Sequence, residues 1–111
     1  MDKKISKELT EKIQELQIVE QSLQNILMQK QAIQFESNEI SEALEELNSA
    51  KGNVYKVVGQ IMVQSKREDL KKDLESRKEV SELRGKNFDK QEKSLKDRLT
   101  RLRDEVMSEL K

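Results

Sequence analysis

Apolar residues recur at coiled-coil spacing through the first half of the chain. One series has a step of seven and comprises Ile5, Val19, Ile26, Ile33, Ile40 and Leu47; a companion series comprises Leu9, Leu16, Leu23 and Leu44. Apolar positions separated alternately by three and four residues form the seam of a coiled coil. Lys12, Lys30 and Ser37 occupy seam positions, where polar side chains weaken packing but help to fix the register. The pattern predicts one long helix over residues 3–50, ended by the polar segment around Gly52.

The composition changes between residues 54 and 63. This run, VYKVVGQIMV, carries one charge and is rich in β-branched side chains, which favour strands. Gly59-Gln60 separates two apolar stretches, and glycine at the first central position suits a two-residue type II′ turn. The run therefore predicts one β-hairpin over residues 54–64.

Two strands alone are at best marginally stable in water. The hairpin is therefore either the core of a small sheet domain or is completed by strands of other subunits. The rest of the chain has too few apolar residues to cover both faces of the hairpin, which favours pairing between subunits. The residues expected to form that oligomerisation surface are Val54, Tyr55, Val57, Val58, Gly59, Ile61, Met62 and Val63.

A helical pattern resumes after the strand run. Ser65 and Glu68 have the spacing of a capping box, in which the serine hydroxyl accepts from the Glu68 N–H. The pattern predicts a second helix over residues 66–110, with looser packing near Ser81 and Gly85, where the apolar spacing becomes irregular. Its apolar positions are Leu70, Leu74, Leu83, Phe88, Leu95, Leu99, Leu102, Val106 and Leu110.

The two predicted helices are about equally long and are joined by a short β segment. The economical fold is mainly α: a single domain over residues 1–111, built as a long antiparallel two-helix coiled-coil hairpin with one short β-hairpin at its closed end. Both chain ends then meet at the other end of the coiled coil.

The helix ends carry more apolar surface than a two-helix seam covers. This surface is either a fraying seam or a partly exposed apolar tip that binds other polypeptides, with methionine supplying adaptability. The candidate residues are Ile5, Leu9, Ile13, Leu102, Val106, Met107 and Leu110. Four further residues lie off the seam of the first helix, where they widen the contact between the helices or line a cavity between coiled coils: Ile18, Leu27, Met28 and Phe35.

Composition argues against an enzyme. The chain has 111 residues, of which 40% are charged and 33% hydrophobic, and it contains no histidine and no cysteine. The usual general base, thiolate nucleophile and transition-metal ligands are therefore missing, and no glycine-rich phosphate loop is present. We expect no catalytic residues, no metal and no cofactor.

Charge and hydropathy limit the kinds of binding partner that we expect. The 22 basic and 22 acidic residues cancel, so no net field attracts nucleic acid or an anionic membrane. The chain has no apolar stretch approaching the ~20 residues needed to span a bilayer, and we expect a soluble, cytoplasmic protein.

Four segments resemble the β-class subunits of prefoldin, in its archaeal form. They are QNILMQKQ (residues 24–31), ALEEL (43–47), VYKVVG (54–59) and KQEKSL (90–95). A single β-hairpin is also typical of the β class, because the α class carries a longer four-strand insertion. The resemblance implies a heterohexamer of two α-type and four β-type subunits, joined through β-barrels, with no cofactor.

The same resemblance implies a function. The distal ends of the coiled coils would hold non-native polypeptides and pass them to a group II chaperonin without ATP. The alternative is a passive coiled-coil scaffold or adaptor that binds one folded partner through a helix face.

Overall fold

The computed structural model describes residues 6–111. Helix α1 spans Lys7–Ser49, strand β1 spans Val54–Val58, strand β2 spans Ile61–Ser65 and helix α2 spans Arg67–Leu110. The part of the predicted first helix that precedes Ser6 lies outside the described residues. Ser6 caps α1, because its hydroxyl accepts a hydrogen bond from the Leu9 N–H at 3.0 Å.

The seam of α1 follows the periodicity of the sequence. Its buried side chains are Leu9, Val19, Ile26, Ile33, Ile40 and Leu47. The companion residues Leu16, Leu23 and Leu44 are half-buried. The two series therefore alternate along the buried face of α1, and the half-buried Lys12, Lys30 and Ser37 occupy the remaining seam positions.

The buried face of α2 keeps the regular spacing of a seam, although several of its positions are polar residues or glycine. Its members are buried or half-buried and alternate in steps of four and three: Leu74, Lys78, Ser81, Gly85, Phe88, Glu92, Leu95, Leu99, Leu102 and Val106. Ser81 is only 2% exposed, so the seam continues through this segment; the looser packing expected there stays a prediction. A Cβ on Gly85 would lie 3.9 Å from Ile33 Cγ2, so small residues of α2 stand opposite a branched residue of α1.

The helices run antiparallel. Near the start of α1, Lys12 pairs with Glu109, and further along Lys30 pairs with Glu92. Residues further along α1 thus pair with residues that come earlier in α2, as antiparallel helices require. By their internal contacts, the described residues form two compact units, 6–30 with 87–111 and 31–86. Val19, Leu99 and Leu102 form the buried cluster of the first unit.

The two strands form one antiparallel hairpin. Val58 is opposite Ile61, so the connection is the two-residue turn Gly59-Gln60. Gly59 has φ +61° and Gln60 does not have positive φ. A type I′ turn needs positive φ at both central residues, so the type II′ turn expected from the sequence is the one that fits.

Helix α2 begins differently from the capping box. Ser65 is the last residue of β2, paired with Val54, and its hydroxyl donates to the Lys66 carbonyl oxygen at 3.3 Å. The Lys66 carbonyl also accepts from the Leu70 N–H. Lys66 is therefore the N-cap, because strand pairing holds Ser65 in the ladder. Neither helix among residues 6–111 is both long and apolar enough to cross a membrane.

Candidate functional site

The β-hairpin exposes most of its apolar side chains. Val57, Ile61 and Met62 are each about two thirds exposed, and Val54 is the one half-buried apolar residue of the two strands. The other members of the expected oligomerisation surface, Tyr55, Val58, Gly59 and Val63, are exposed too. The structure thus brings all eight predicted residues together on one hairpin.

Both faces of the hairpin are apolar. Directly paired residues lie on the same face, so Tyr55, Val57 and Met62 share one face while Val58, Ile61 and Val63 share the other. A sheet with one solvated face would alternate apolar and polar side chains. This hairpin does not, and each of its faces suits burial against another element.

A groove of about 500 Å³ lies beside β1. Its walls come from the end of α1, the hairpin and the start of α2, and most of its lining is apolar. The residues that line it are Ala43, Glu46, Leu47, Ala50, Asn53, Val54, Tyr55, Lys56, Val57, Met62, Leu70, Asp73, Leu74 and Arg77. The sequence pattern missed this groove because its residues come from three separate segments.

An arginine joins the elements around this groove. Arg67, at the start of α2, donates to the carbonyl oxygens of Leu47 and Gly52, the latter at 3.2 Å. The last turn of α1 has no basic residue of its own. Arg67 therefore satisfies orphan carbonyls at a helix C-terminus and places positive charge at the negative end of the helix dipole.

The predicted tip residues divide into two groups. Leu9, Leu102 and Val106 are buried in the helix seam, Ile13 is half-buried, and Met107 and Leu110 are 60% and 51% exposed. Ile5 lies outside the described residues. The accessible apolar surface at the end of α2 is thus provided by Met107 and Leu110, above a packed seam.

The four apolar residues off the α1 seam are exposed. Met28 and Phe35 are 68% and 65% exposed, and Ile18 and Leu27 are exposed as well. They do not widen the contact between the helices, so that alternative is wrong.

Two lysines in the α1 seam meet acids of α2. The Lys12 ammonium lies 2.7 Å from Glu109 Oε1 and 3.9 Å from Glu105 Oε2. Its hydrogen bond to Glu109, opposed by desolvation, raises the pKa of Lys12 above its ordinary value. The positive charge of Lys12 is therefore retained despite its place in the seam.

The second lysine has two partners. Lys30 Nζ lies 2.8 Å from both Asp89 Oδ1 and Glu92 Oε1. Hydrogen bonds to Asp89 and Glu92 raise the pKa of Lys30, and the bond from Lys30 lowers the pKa of Glu92. Lys96, 3.3 Å from Glu92, lowers it further. Within residues 6–111, no group of three or more His, Cys, Asp and Glu is placed to hold a metal.

The comparisons agree with this geometry. The family model described as prefoldin subunit matches residues 7–111. Prefoldin subunit beta of Sulfurisphaera tokodaii is 35% identical over 108 residues, which cover 96% of this chain and 86% of that protein. That of Saccharolobus islandicus is 33% identical with the same coverage. The crystal structure of the prefoldin beta subunit from Thermococcus strain KS-1 matches with a TM-score of 0.87 and 29% identity, over 99% of this chain and 98% of that one.

The chain is a helical hairpin, in which two antiparallel helices are joined by a two-stranded sheet with apolar faces. The chain belongs to the prefoldin subunit family, and the relatives named above are archaeal β subunits. The fold class and the family expected from the sequence are both confirmed. A family of subunits implies assembly with other prefoldin subunits.

Proposed function

We propose that this chain is a subunit of a chaperone that holds non-native polypeptides without ATP. One observation carries the proposal: a prefoldin β fold in which 40% of the residues are charged nevertheless exposes apolar side chains at the end of α2. Met107 and Leu110 are three residues apart on the helix and so lie side by side, and adjacent exposed apolar side chains can form a contiguous patch of the kind that marks a protein-interaction site. Non-native polypeptides present the matching apolar segments.

The capture surface consists of the predicted tip residues. Met107 and Leu110 make the first contact, because they are exposed, and the flexible methionine side chain adapts to different client sequences. Leu9, Leu102 and Val106 are buried in the helix seam, and we expect them to support the surface rather than to contact the client. Each tip binds weakly, and several tips in one complex supply affinity through multivalency.

Assembly and transfer complete the proposal. The hairpin residues Val54–Val58 and 59–63 join this chain to an α-type subunit, in a complex of two α and four β subunits. The complex then delivers its client to a group II chaperonin in the cytoplasm. Support for assembly comes from the apolar faces of the hairpin, which need cover.

The test is the light scattering of a chemically denatured client protein, diluted into buffer with the assembled complex and no nucleotide. The double variant Met107→Ser/Leu110→Ser should lose at least half of the suppression of aggregation, because the exposed apolar area at the tips is removed. Sedimentation should show that the variant complex still assembles.

The matched control is Val80→Ser/Leu83→Ser on the same helix. Val80 and Leu83 are 55% and 62% exposed, so this pair removes similar apolar area away from the tips. Suppression should remain as in the unchanged complex. Equal losses in both variants would contradict capture at the tips, and no suppression by the unchanged complex would favour a scaffold that binds one folded partner.

Delivery of the client to a chaperonin can be measured separately from its capture. A fluorescently labelled client bound to the complex should move to an added group II chaperonin faster than it dissociates into buffer. Equal rates with and without chaperonin would contradict delivery while leaving capture intact.

A further inference from the structure

Every methionine that the structure describes is exposed. Met28, Met62 and Met107 are 68%, 67% and 60% exposed, and Met1 lies outside the described residues. The buried apolar side chains of residues 6–111 are all leucine, isoleucine or valine. A chemical change at one of the three methionines therefore alters a surface of the chain and leaves the packing between the helices intact.

Methionine is also the side chain of this protein that peroxides attack most readily. The sequence contains four methionines and no cysteine, so no thiolate competes for the oxidant. The thioether sulfur attacks one oxygen of a hydroperoxide: an S–O bond forms, the O–O bond breaks, and the proton of the peroxide passes to the leaving oxygen, which departs as water or an alcohol. Sulfur gives up two electrons and the peroxide gains them. The product is a polar sulfoxide, which methionine sulfoxide reductases convert back to the thioether.

The position of Met107 makes its oxidation consequential. Met107 lies in the last turn of α2, three residues before the exposed Leu110, whereas its neighbour Val106 is buried in the seam. The seam therefore holds the helix in place whatever happens at the Met107 sulfur. A sulfoxide oxygen at this position accepts hydrogen bonds from water, and burial against an apolar client removes these bonds without replacing them. Oxidation thus opposes the binding of apolar segments at this end of α2.

We propose that Met107 is a reversible oxidation site, at which hydroperoxides convert the tip of α2 from an apolar to a polar surface and so switch off client capture. The inference rests on the proposed capture of polypeptides at the tips. Oxidation of Met28 or Met62 does not have this effect, because Met28 is in the middle of α1 and Met62 is on the hairpin. The chain stays folded in either state, since its buried apolar residues do not include methionine among residues 6–111.

The test compares the assembled complex before and after treatment with hydrogen peroxide. One readout is the light scattering of a denatured client without nucleotide, and mass spectrometry of peptide fragments measures the sulfoxide at each methionine. Peroxide should add one oxygen to Met107 and remove at least half of the suppression of aggregation. The helix content measured by circular dichroism should not change. Treatment with reductases for both sulfoxide epimers should restore suppression.

Three variants isolate Met107 from the other oxidisable groups of the complex. Met107→Leu keeps an apolar side chain of similar size but has no sulfur, so its complex should suppress aggregation both before and after peroxide. Met28→Leu is the matched control, because it removes an equally exposed methionine away from the tips. Its complex should lose suppression after peroxide as the unchanged complex does. Met107→Gln places a polar carbonyl at the tip without any oxidant and should reproduce the loss.

Several results would overturn the inference. They are equal losses after peroxide in Met107→Leu and the unchanged complex, full suppression by a complex whose Met107 is oxidised, and a Met107 that stays reduced while Met28 is oxidised. Failure of the reductases to restore suppression would overturn reversibility. A complex that does not suppress aggregation before peroxide is added contradicts the proposed function itself, and the untreated samples alone reveal that outcome.

Discussion

Two lysines in the seam of α1 pair with acids of α2. Lys12 and Lys30 lie on α1 seam positions, and their partners Glu109 and Glu92 continue the alternating series of α2. The side chains of Lys30 and Glu92 keep 31% and 16% of their surface exposed, so desolvation is incomplete. A shift of one helix by a turn would move these charges away from their partners and towards apolar seam residues such as Leu95 and Val106, and the pairs therefore disfavour other registers.

The charge pair at Lys30 makes stability depend on pH. The pKa of Glu92 is lower in the folded chain than in the unfolded chain, so this stabilisation is present above about pH 4.3 and is lost as pH falls through the folded value. The pKa of Lys30 is raised, so its contribution is present below about pH 10.4 and is lost as pH rises through the folded value. Lys30→Gln should lower the thermal midpoint by a few degrees at pH 7, with a smaller difference below pH 4.

Thermal scans by circular dichroism measure this difference. Lys90→Gln is the control, because Lys90 is an exposed lysine of α2. A difference between Lys30→Gln and the unchanged chain that stays constant from pH 7 to pH 3 would rule out the charge pair as its cause.

Ser81 is a further polar residue in the seam, and its hydroxyl has no matching group within residues 6–111. Its Oγ has no hydrogen-bond partner among the described residues. Burial of a hydroxyl without a partner is unfavourable by ~1–3 kcal/mol. Ser81→Ala should therefore raise the free energy of unfolding by ~1 kcal/mol or more, beyond the gain that alanine brings to any helix. Ser76→Ala reports that general gain, because Ser76 is exposed on α2; urea unfolding of both variants gives the difference. Equal gains would show that the hydroxyl is solvated.

At the scale of elements, the C-terminal end of α1 is capped by a side chain from the start of α2, which follows the hairpin in the chain. Arg67 donates to the Leu47 and Gly52 carbonyls, so α1, the connection and α2 are held by one side chain. The groove beside β1 is built from the same three elements. Because Arg67 connects these elements, we expect its loss to alter the groove as well as the end of α1.

Arg67→Gln should destabilise the chain by about 1–2 kcal/mol, because charge-assisted hydrogen bonds to the helix end are lost. Arg67→Lys should recover part of this, since lysine keeps the charge but lacks the planar fork that reaches two carbonyls. Hydrogen exchange in the last turn of α1 should accelerate in the order unchanged chain, lysine, glutamine. Unaltered exchange in the glutamine variant would contradict a capping role.

At the scale of the whole molecule, the described chain has a complete helical seam and an incomplete sheet. Leucines and isoleucines of the seam are buried by the partner helix, whereas both faces of the hairpin stay exposed. The free energy available from burial of the hairpin is therefore realised only when another chain covers it. Stability and assembly should be coupled.

Addition of the α-type subunit should raise the thermal midpoint of this chain by several degrees, and the rise should grow with partner concentration. The amide protons of the hairpin strands should gain protection from hydrogen exchange when the partner covers them, whereas amides in the middle of the two helices should change less. A midpoint independent of partner concentration would show that the chain is stable as it stands.

Some features of the fold could be predicted from the sequence, whereas others depend on residues that are far apart in the chain. The α1 seam, the hairpin and its Gly59-Gln60 turn were predictable, because each depends on the spacing or conformational preference of neighbouring residues. The α2 seam was predictable only in part, because six of its members are apolar residues at regular spacing whereas Ser81, Gly85 and Glu92 occupy its positions without an apolar signal. The lysines at seam positions were recognised, but their acidic partners lie 62 and 97 residues away along the chain. The capping box failed because strand pairing engaged Ser65.

The sequence by itself determined the order of elements, the two-residue turn and the family, since periodicity and local conformational preference are carried by contiguous residues. Only the tertiary structure decided which end residues are buried and which exposed, which acids neutralise the seam lysines, and that a groove lies beside β1. Burial and charge pairing depend on residues far apart in the chain, and their distances are set when the helices pack.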